Sequence, residues 1–258
     1  MRIVGAVPVD TVAEGLYRRR LQAMARSMCA DILRRLGPRY APVAARFAMD
    51  DGDPVVRLRR ALRKWRLYWT KRADSLALDM AELFATRTQE SFEREFRKRL
   101  AAVGFTVRFR PSDRMVSAYR AVVSENVGLI RSIPQQFSKD VEGAVWRSAM
   151  KGGGMYDLSQ EIRQKYGVTY RRAAFIARDQ QAKAHTYFEQ SRRAELGITR
   201  AIWRHSSAGK EPRPTHLKMD GQEFDIAKGM WDPAVEQWIL PGFLPNCRCT
   251  SRAIIPDS

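Results

Sequence analysis

The sequence predicts an α+β protein that is mostly α. Long amphipathic N-terminal helices come first, then a C-terminal helical domain that ends in a small β-containing module. Apolar residues recur at three- and four-residue steps through most of residues 11–196, the period of helices with one buried face. After Gly197 the pattern breaks into short runs separated by Gly and Pro, as strands and turns require. A hydrophobic content of 45% over 258 residues is enough for a substantial core or for two domains.

Leu16, Leu21, Met24, Met28, Ile32 and Leu36 predict a first helix over 11–36, stopped by Gly37-Pro38. Cys29 within it reads as a small buried hydrophobe. Residues 37–54 carry Gly37, Pro38, Pro42, Gly52 and Pro54 around Asp50, Asp51 and Asp53, the composition of a loop or hinge. Residues 55–103 form the longest periodic segment, through Leu58, Leu62, Trp65, Trp69, Leu76, Met80, Leu83, Phe92, Phe96 and Leu100, and predict one or two long helices. The opposite face carries Arg57, Arg59, Arg60, Arg63, Lys64, Arg66, Lys71 and Arg72. Such a face suits phosphates or an acidic protein; the plainer reading is a solvated face whose Arg stems cover Trp and Leu edges. No aromatic residues are interleaved with these charges by pattern, so a base-stacking platform is not expected.

Phe105 to Phe109 alternates like a short strand. Ser112 is placed to cap a helix over 112–132 that Pro134 interrupts, and a further helix over 135–150 runs into Gly152-Gly153-Gly154. A short helix through Leu158, Ile162 and Tyr166 ends at Gly167. Thr169 then caps a long helix over 170–196, with Gly197 at its C′ position. On that helix Arg178, Asp179, Gln181, Lys183 and His185 read as solvent-facing, with no catalytic role. Strands are expected over 198–203, near 221–225 and over 247–254, with a polar loop from Ser206 to Pro214. The domain reading is a basic helical region over 1–110 and a second domain over 111–258, with the Cys/His-containing β module at 198–256.

The formal net charge is +18. It is uneven: residues 1–110 hold 24 Lys and Arg against 12 Asp and Glu, and the remainder 22 against 16. An excess of this size favours an acidic partner such as nucleic acid. No apolar run reaches the roughly 18 residues of a membrane span, and Met1–Val9 lacks the pattern of a secretory signal. Three cysteines give no disulfide framework and suggest a reducing compartment.

Two of those cysteines form Cys247-Arg248-Cys249. In an extended strand both thiols would point to one face and could share a metal, with zinc the natural choice for thiolates. His216 is the candidate third ligand; His205, Asp220 or Asp225 could supply the fourth. The alternative is two reduced, packed cysteines beside a histidine bonded to backbone. No phosphate-binding loop, nucleophile elbow or His-Glu-x-x-His motif is present, so no catalytic residue is assigned. The rival function class is a metal-dependent nuclease or other hydrolase built on His216, Cys247 and Cys249. A host DNA-binding regulator is a third reading, without a recognition-helix motif to support it.

The order of motifs adds a resemblance. Ala173-Ala174-Phe175-Ile176-Ala177-Arg178-Asp179-Gln180 precedes Leu196-Gly197-Ile198 and Trp203. Arg213-Pro214-Thr215-His216, Asp220-Gly221, Pro241-Gly242 and Asn246-Cys247-Arg248-Cys249 follow. This series resembles the phage head morphogenesis domain of the bacteriophage Mu F-like minor head proteins. Asn126 to Pro134 resembles the start of that domain, so the likeness covers about residues 115–256. Its motif positions here are Arg178, Trp203, Arg213, His216, Gly221, Pro241, Gly242, Asn246, Cys247, Arg248 and Cys249. The resemblance implies a minor head protein of a tailed phage, located at the portal vertex or capsid interior of the virion and in the host cytoplasm during assembly. It implies action in head assembly, DNA packaging or DNA delivery. The implied partners are the portal protein, the major capsid or scaffold protein, and phage double-stranded DNA. Members of the family are not established enzymes. Some relatives carry toxin domains after this module; with the sequence stopping at Ser258, none is expected here.

Overall fold

A computed structural model of the chain describes residues 2–46, 52–207 and 211–255. Asp50 and Asp51 of the expected hinge, Ala208–Lys210 of the expected polar loop, and Pro256 lie outside the described residues. The elements in order are β1 (Arg2–Val4), α1 (Thr11–Arg46), α2 (Gly52–Ala101), α3 (Asp113–Met150), α4 (Met155–Glu195), β2 (Arg200–Arg204), α5 (Pro214–Met219), β3 (Glu223–Asp225), β4 (Met230–Asp232), β5 (Gln237–Ile239) and β6 (Thr250–Ile255). The mostly helical α+β class holds, with the β structure gathered at the C-terminal end. Packing groups these residues into two compact units, each assembled from separate stretches of chain. One comprises Met1–Gly15, Ala81–Ser124 and Ala177–Ser258; the other comprises Leu16–Met80 and Glu125–Ile176.

Among its described residues, the unit made of 16–80 and 125–176 consists of helices joined by the turn at 151–154. Trp65 meets Phe137 edge-on at 6.0 Å, and both are fully buried. Buried Asp31 accepts hydrogen bonds from Trp69 Nε1 (3.0 Å), Arg34 Nη2 (2.8 Å) and Arg35 Nε (3.0 Å). Burial alone would raise its pKa, but these donors outweigh it and hold the carboxyl below its usual range. Tyr40 Oη donates to Ser148 Oγ at 2.7 Å.

Several expected helix breaks are absent, for one physical reason. α1 continues through Gly37, Pro38 and Pro42 to Arg46, because Leu36 and Tyr40, one turn apart, are both fully buried. α3 is continuous through Pro134, with Ile130, Ile133 and Phe137 buried on either side of it. α4 runs through Gly167, and Thr169 donates to Lys165 O within the helix rather than capping a new one. In each case the buried face outweighs the local cost of about 1 kcal/mol for Gly or about 3 kcal/mol for Pro. The expected hinge over 37–54 is accordingly helical at 37–46 and again from Gly52.

The other unit holds all the β structure of the described residues. Its antiparallel sheet has the order β1-β6-β2-β3, and β4 and β5 pair as a separate two-stranded ribbon. The strand read at Phe105–Phe109 does not form. That segment is held by side chains, with Phe109 stacked on Phe96 at 5.8 Å and the Arg192 guanidinium over its ring at 4.8 Å. Ser112 does cap α3, its Oγ accepting from Met115 N–H at 3.2 Å. α4 ends as expected in a Schellman motif: Gly197 adopts φ 68°, Ile198 N–H donates to Arg193 O (3.0 Å), and Gly197 N–H donates to Ala194 O (3.2 Å).

Because Pro38 is exposed inside a continuous helix, Pro38→Ala should stabilise the protein by about 1–3 kcal/mol. A rise in thermal midpoint is the expected readout. An unchanged or lowered midpoint would mean that Gly37-Pro38 ends the helix after all.

Candidate metal centre

The candidate centre is built on α4, the helix that the C-terminal module packs against. Asp179, Gln181 and His185 are buried on it rather than solvent-facing, as are Gln180, Thr186, Glu189, Arg192 and Arg193. Asp179, Thr186 and Arg193 recur every seven residues and so share one face. Each anchors a different part of the module. Asp179 Oδ1 accepts from Asn246 N–H at 3.2 Å. Thr186 Oγ1 donates to Pro241 O at 2.7 Å. Arg193 Nη1 donates to Ser251 Oγ at 2.7 Å and Nη2 to Ser251 O at 3.0 Å. Glu189 pairs with Arg193 at 2.6 Å, both almost wholly buried. Burial raises the Glu189 pKa and lowers that of Arg193, and each partner opposes the shift of the other.

These anchors fix the turn that presents the cysteines. Gly242 has φ 82°, and a Cβ there would lie 2.8 Å from Thr186 Oγ1, so only glycine fits. Asn246 takes φ 60°, and Cys247 N–H closes the turn on Leu244 O at 2.9 Å. Cys247 and Cys249 precede β6 instead of lying in it. A turn, not the alternation of a strand, places both thiols inward with exposed Arg248 between them.

His216 comes from α5, a helix of six residues with Pro214 in its first turn. Arg213 Nη2 ties its start to Pro245 O at 2.8 Å. His216 Nδ1 lies 3.5 Å from Cys247 Sγ and 3.6 Å from Cys249 Sγ. All three ligand atoms fall within 4.8 Å of one another, and all three residues are buried. Zinc bound tetrahedrally at its usual N and S distances sets an N···S spacing of about 3.6 Å. The observed spacings match that value, so the three residues could hold a metal. On the other side of the ring, His216 Nε2 sits 3.2 Å from Oδ2 of Asp232, which is fully buried. The contact is not well aligned as a hydrogen bond, but neither atom has another partner. Asp232 Oδ1 accepts from Ala234 N–H at 3.0 Å. A carboxylate behind a ligating imidazole is the usual outer partner of a zinc histidine.

The sulfurs are prepared for charge. The hydrogen bond from Cys249, then His216 and the amides of Cys249 and Gly242, pull Cys247 down to about 4 against the opposing effect of burial. Cys249 is pushed up, first because it gives its proton to that bond and then by burial. Without a metal, one proton is thus shared between the two sulfurs.

Of the candidate fourth ligands, His205 lines a small cavity of about 40 Å³ with His216, Cys247 and Cys249. Asp220 Oδ1 instead accepts from His205 N–H at 2.9 Å, and Asp225 Oδ1 accepts from Ala227 and Lys228 N–H. Asp232 went unnoticed in the sequence, where it is one acidic residue in a short apolar-aromatic run. Among the remaining motif residues, Trp203 is fully buried and meets His216 edge-on at 5.4 Å. Gly221 turns at φ 76° and donates its N–H to Trp203 O at 3.0 Å. Arg178 is half-buried.

The eight basic residues of α2 lie in the unit made of 16–80 and 125–176, and all are exposed. Arg59 stacks on Trp146 at 5.3 Å and Arg66 pairs with Glu142 at 3.1 Å. Arg57, Arg60 and Lys64 join Arg35 and Arg39 around a cleft of about 420 Å³ that has no acidic lining residue among the described residues. Arg72 lines a second groove with Arg20, Arg34 and Arg35. The expectation that no aromatic stands among these charges is corrected: Tyr68 in the second groove is 47% exposed, and the Arg35 guanidinium is 5.7 Å from its ring. A position one step off the apolar stripe reads as polar in a helical pattern, which concealed it.

Burial, and secondarily the charge of Arg193, lower the His185 pKa to about 4. The folded pKa lies below the unfolded value near 6.5, so the unfolded state binds the proton first. Stability should therefore fall by about 3 kcal/mol as the pH drops from 6.5 to 4. In His185→Gln this component of the acid-induced loss should vanish, as read by urea midpoints across that range.

Comparison with known proteins places the module. Residues 139–252 match the family described as Phage Mu protein F like protein. An uncharacterized protein of Haemophilus influenzae (strain ATCC 51907 / DSM 11121 / KW20 / Rd) is 28% identical over 247 residues, covering 94% of this chain and 53% of the relative. The chain thus spans about half the length of that curated relative. No solved structure matches. The matched segment takes in His216, Asp232, Cys247, Cys249 and the buried stretch of α4 that positions them, and over this segment the chain is similar to the Phage Mu protein F like proteins.

Proposed function

We propose that the protein is a minor head component of a tailed phage, placed at the portal vertex or capsid interior, where it contacts a head subunit and packaged DNA. The observation that carries the DNA part is the cleft walled by Arg35, Arg39, Arg57, Arg60 and Lys64. Five cations converging on one concavity attract polyanions, and contacts to phosphates carry no sequence information. Tyr68 beside the second cationic groove adds a surface on which a base or sugar can rest. The protein acts by binding in this reading, not by catalysis. Its head-subunit partners are the portal, major capsid or scaffold proteins. Among the described residues, no helix is long and apolar enough to cross a membrane.

The metal that His216, Cys247 and Cys249 could hold is zinc in this reading, because two thiolates and an imidazole at tetrahedral spacing are its preferred donors. Its role is to staple a module of short strands. A hydrolase reading has less support: the three residues are buried and the adjoining cavity, at about 40 Å³, is the size of one or two waters.

Duplex DNA should bind without sequence preference, and log affinity should fall linearly with log salt. Replacing Arg57, Arg60 and Lys64 together by Ala should lower the slope by about 2–3, about 0.9 for each phosphate that is no longer neutralised. An unchanged slope would remove this cleft from the DNA interface. Absence of the protein from proheads and virions by mass spectrometry would overturn the head assignment.

A further inference from the structure

We propose that the metal centre is closed: zinc is held by His216 Nδ1, Cys247 Sγ and Cys249 Sγ, with a ring nitrogen of His205 as fourth ligand and Asp232 as the outer carboxylate that fixes His216. This rests on the zinc reading above and adds the coordination that decides between a structural and a reactive ion. Structural zinc sites fill all four positions with protein, whereas catalytic ones leave a position for water.

The first ground is the placement of His205, which lines the cavity of the other three although its ring stands outside their 4.8 Å cluster in this structure. His205 follows β2 directly, two residues beyond Trp203. In extended chain, residues two apart face the same side, and Trp203 faces the core edge-on against His216. The Ser206 amide, next in sequence to His205, also faces Cys249 Sγ. Asp220 Oδ1 holds the His205 backbone N–H at 2.9 Å, which fixes the residue at the rim of the cavity shared with the three ligands.

The second ground is charge. Zinc with two thiolates is neutral, and an imidazole keeps it so. Glu211 also lines the cavity, but its carboxylate would make the centre anionic next to Asp232, which is fully buried. Two uncompensated negative charges in the interior are costly. Asp220 and Asp225 are engaged with backbone amides. His205 is the remaining donor at the cavity whose chemistry suits the ion.

Asp232 supplies the third ground. Its Oδ2 and His216 Nε2 face each other in the interior with no other partner. A proton on Nε2 satisfies the carboxylate and leaves the Nδ1 lone pair for the metal. The ion would then connect α5, the cysteine turn, the end of β2 and, through Asp232, the β4–β5 ribbon.

The test uses the full chain without a histidine tag. Zinc content is measured by mass spectrometry, and zinc-edge absorption reports the ligand atoms. Wild type should hold one zinc per chain with two sulfur and two nitrogen neighbours. His205→Ala should weaken zinc binding by about 10–100-fold or more against a competing chelator and exchange one nitrogen for water oxygen. His205→Cys should add a third sulfur neighbour, a signature independent of stability. Asp232→Asn should weaken binding by about 10–100-fold with the ligand set unchanged. Zinc-free wild type would overturn the zinc reading itself. One zinc with His205→Ala binding as tightly as wild type, or with two sulfurs only in His205→Cys, would overturn the closed centre alone.

Discussion

The C-terminal module depends on hydrogen bonds that α4 offers from its own buried face. Short strands joined by turns leave many backbone groups unpaired, and buried unpaired groups are costly. α4 satisfies them in sequence: Asp179 takes the amide of Asn246, Thr186 gives its proton to the carbonyl of Pro241, and Arg193 spans Ser251. Their seven-residue spacing keeps them on one face of the helix, so one rigid element sets both ends of the turn before the cysteines and the strand that follows. The positive φ angles of Gly242 and Asn246 are tolerated because these bonds hold the turn from below. The position of the two sulfurs is therefore decided by a helix that contributes no ligand.

This arrangement exchanges stability for definition. Burying Glu189 and Arg193 costs several kcal/mol per ion before their mutual attraction is counted. Apolar side chains in the same space would pack at less cost, but they would not fix register. A one-residue slip of β6 would move Ser251 away from Arg193, leaving a buried guanidinium without its partners, and would turn the strand's inward face outward. A six-residue strand between neighbours of three and five residues has little other means of excluding such slips.

The sequence made the helical class, the long basic helix, the Schellman end of α4 and the His/Cys grouping legible, because each rests on a local or periodic signal. It misled where a local signal was overruled from a distance. Pro38, Pro134 and Gly167 carry breaker chemistry, but the buried side chains flanking them continue one apolar face. β1, β4 and β5 have three residues each, too few to show alternation. The polar row of α4 reads as a solvated face because Asp, Thr, His, Glu and Arg usually mark one; its partners lie some 55–67 residues away. Asp232 was hidden for the same reason. A buried carboxylate can be recognised only once its histidine is beside it.

The two chemistries of the chain stand on different residues. The family match over 139–252 contains all three metal-capable ligands, His205, Asp232 and the anchoring row of α4. The cationic cleft is drawn from residues 35–64, wholly outside that match. The likeness to phage head proteins therefore bears on the module and says nothing of the cleft, while the charge that favours DNA bears on the cleft and says nothing of the module. Each must be judged by its own physics: salt dependence for one, coordination for the other. If the module is the part that recognises a head subunit, its need for a fixed shape explains why a small set of strands carries buried ion pairs and a metal-shaped cluster. The basic residues of α2 stand exposed, and Arg59 and Arg66 among them meet Trp146 and Glu142.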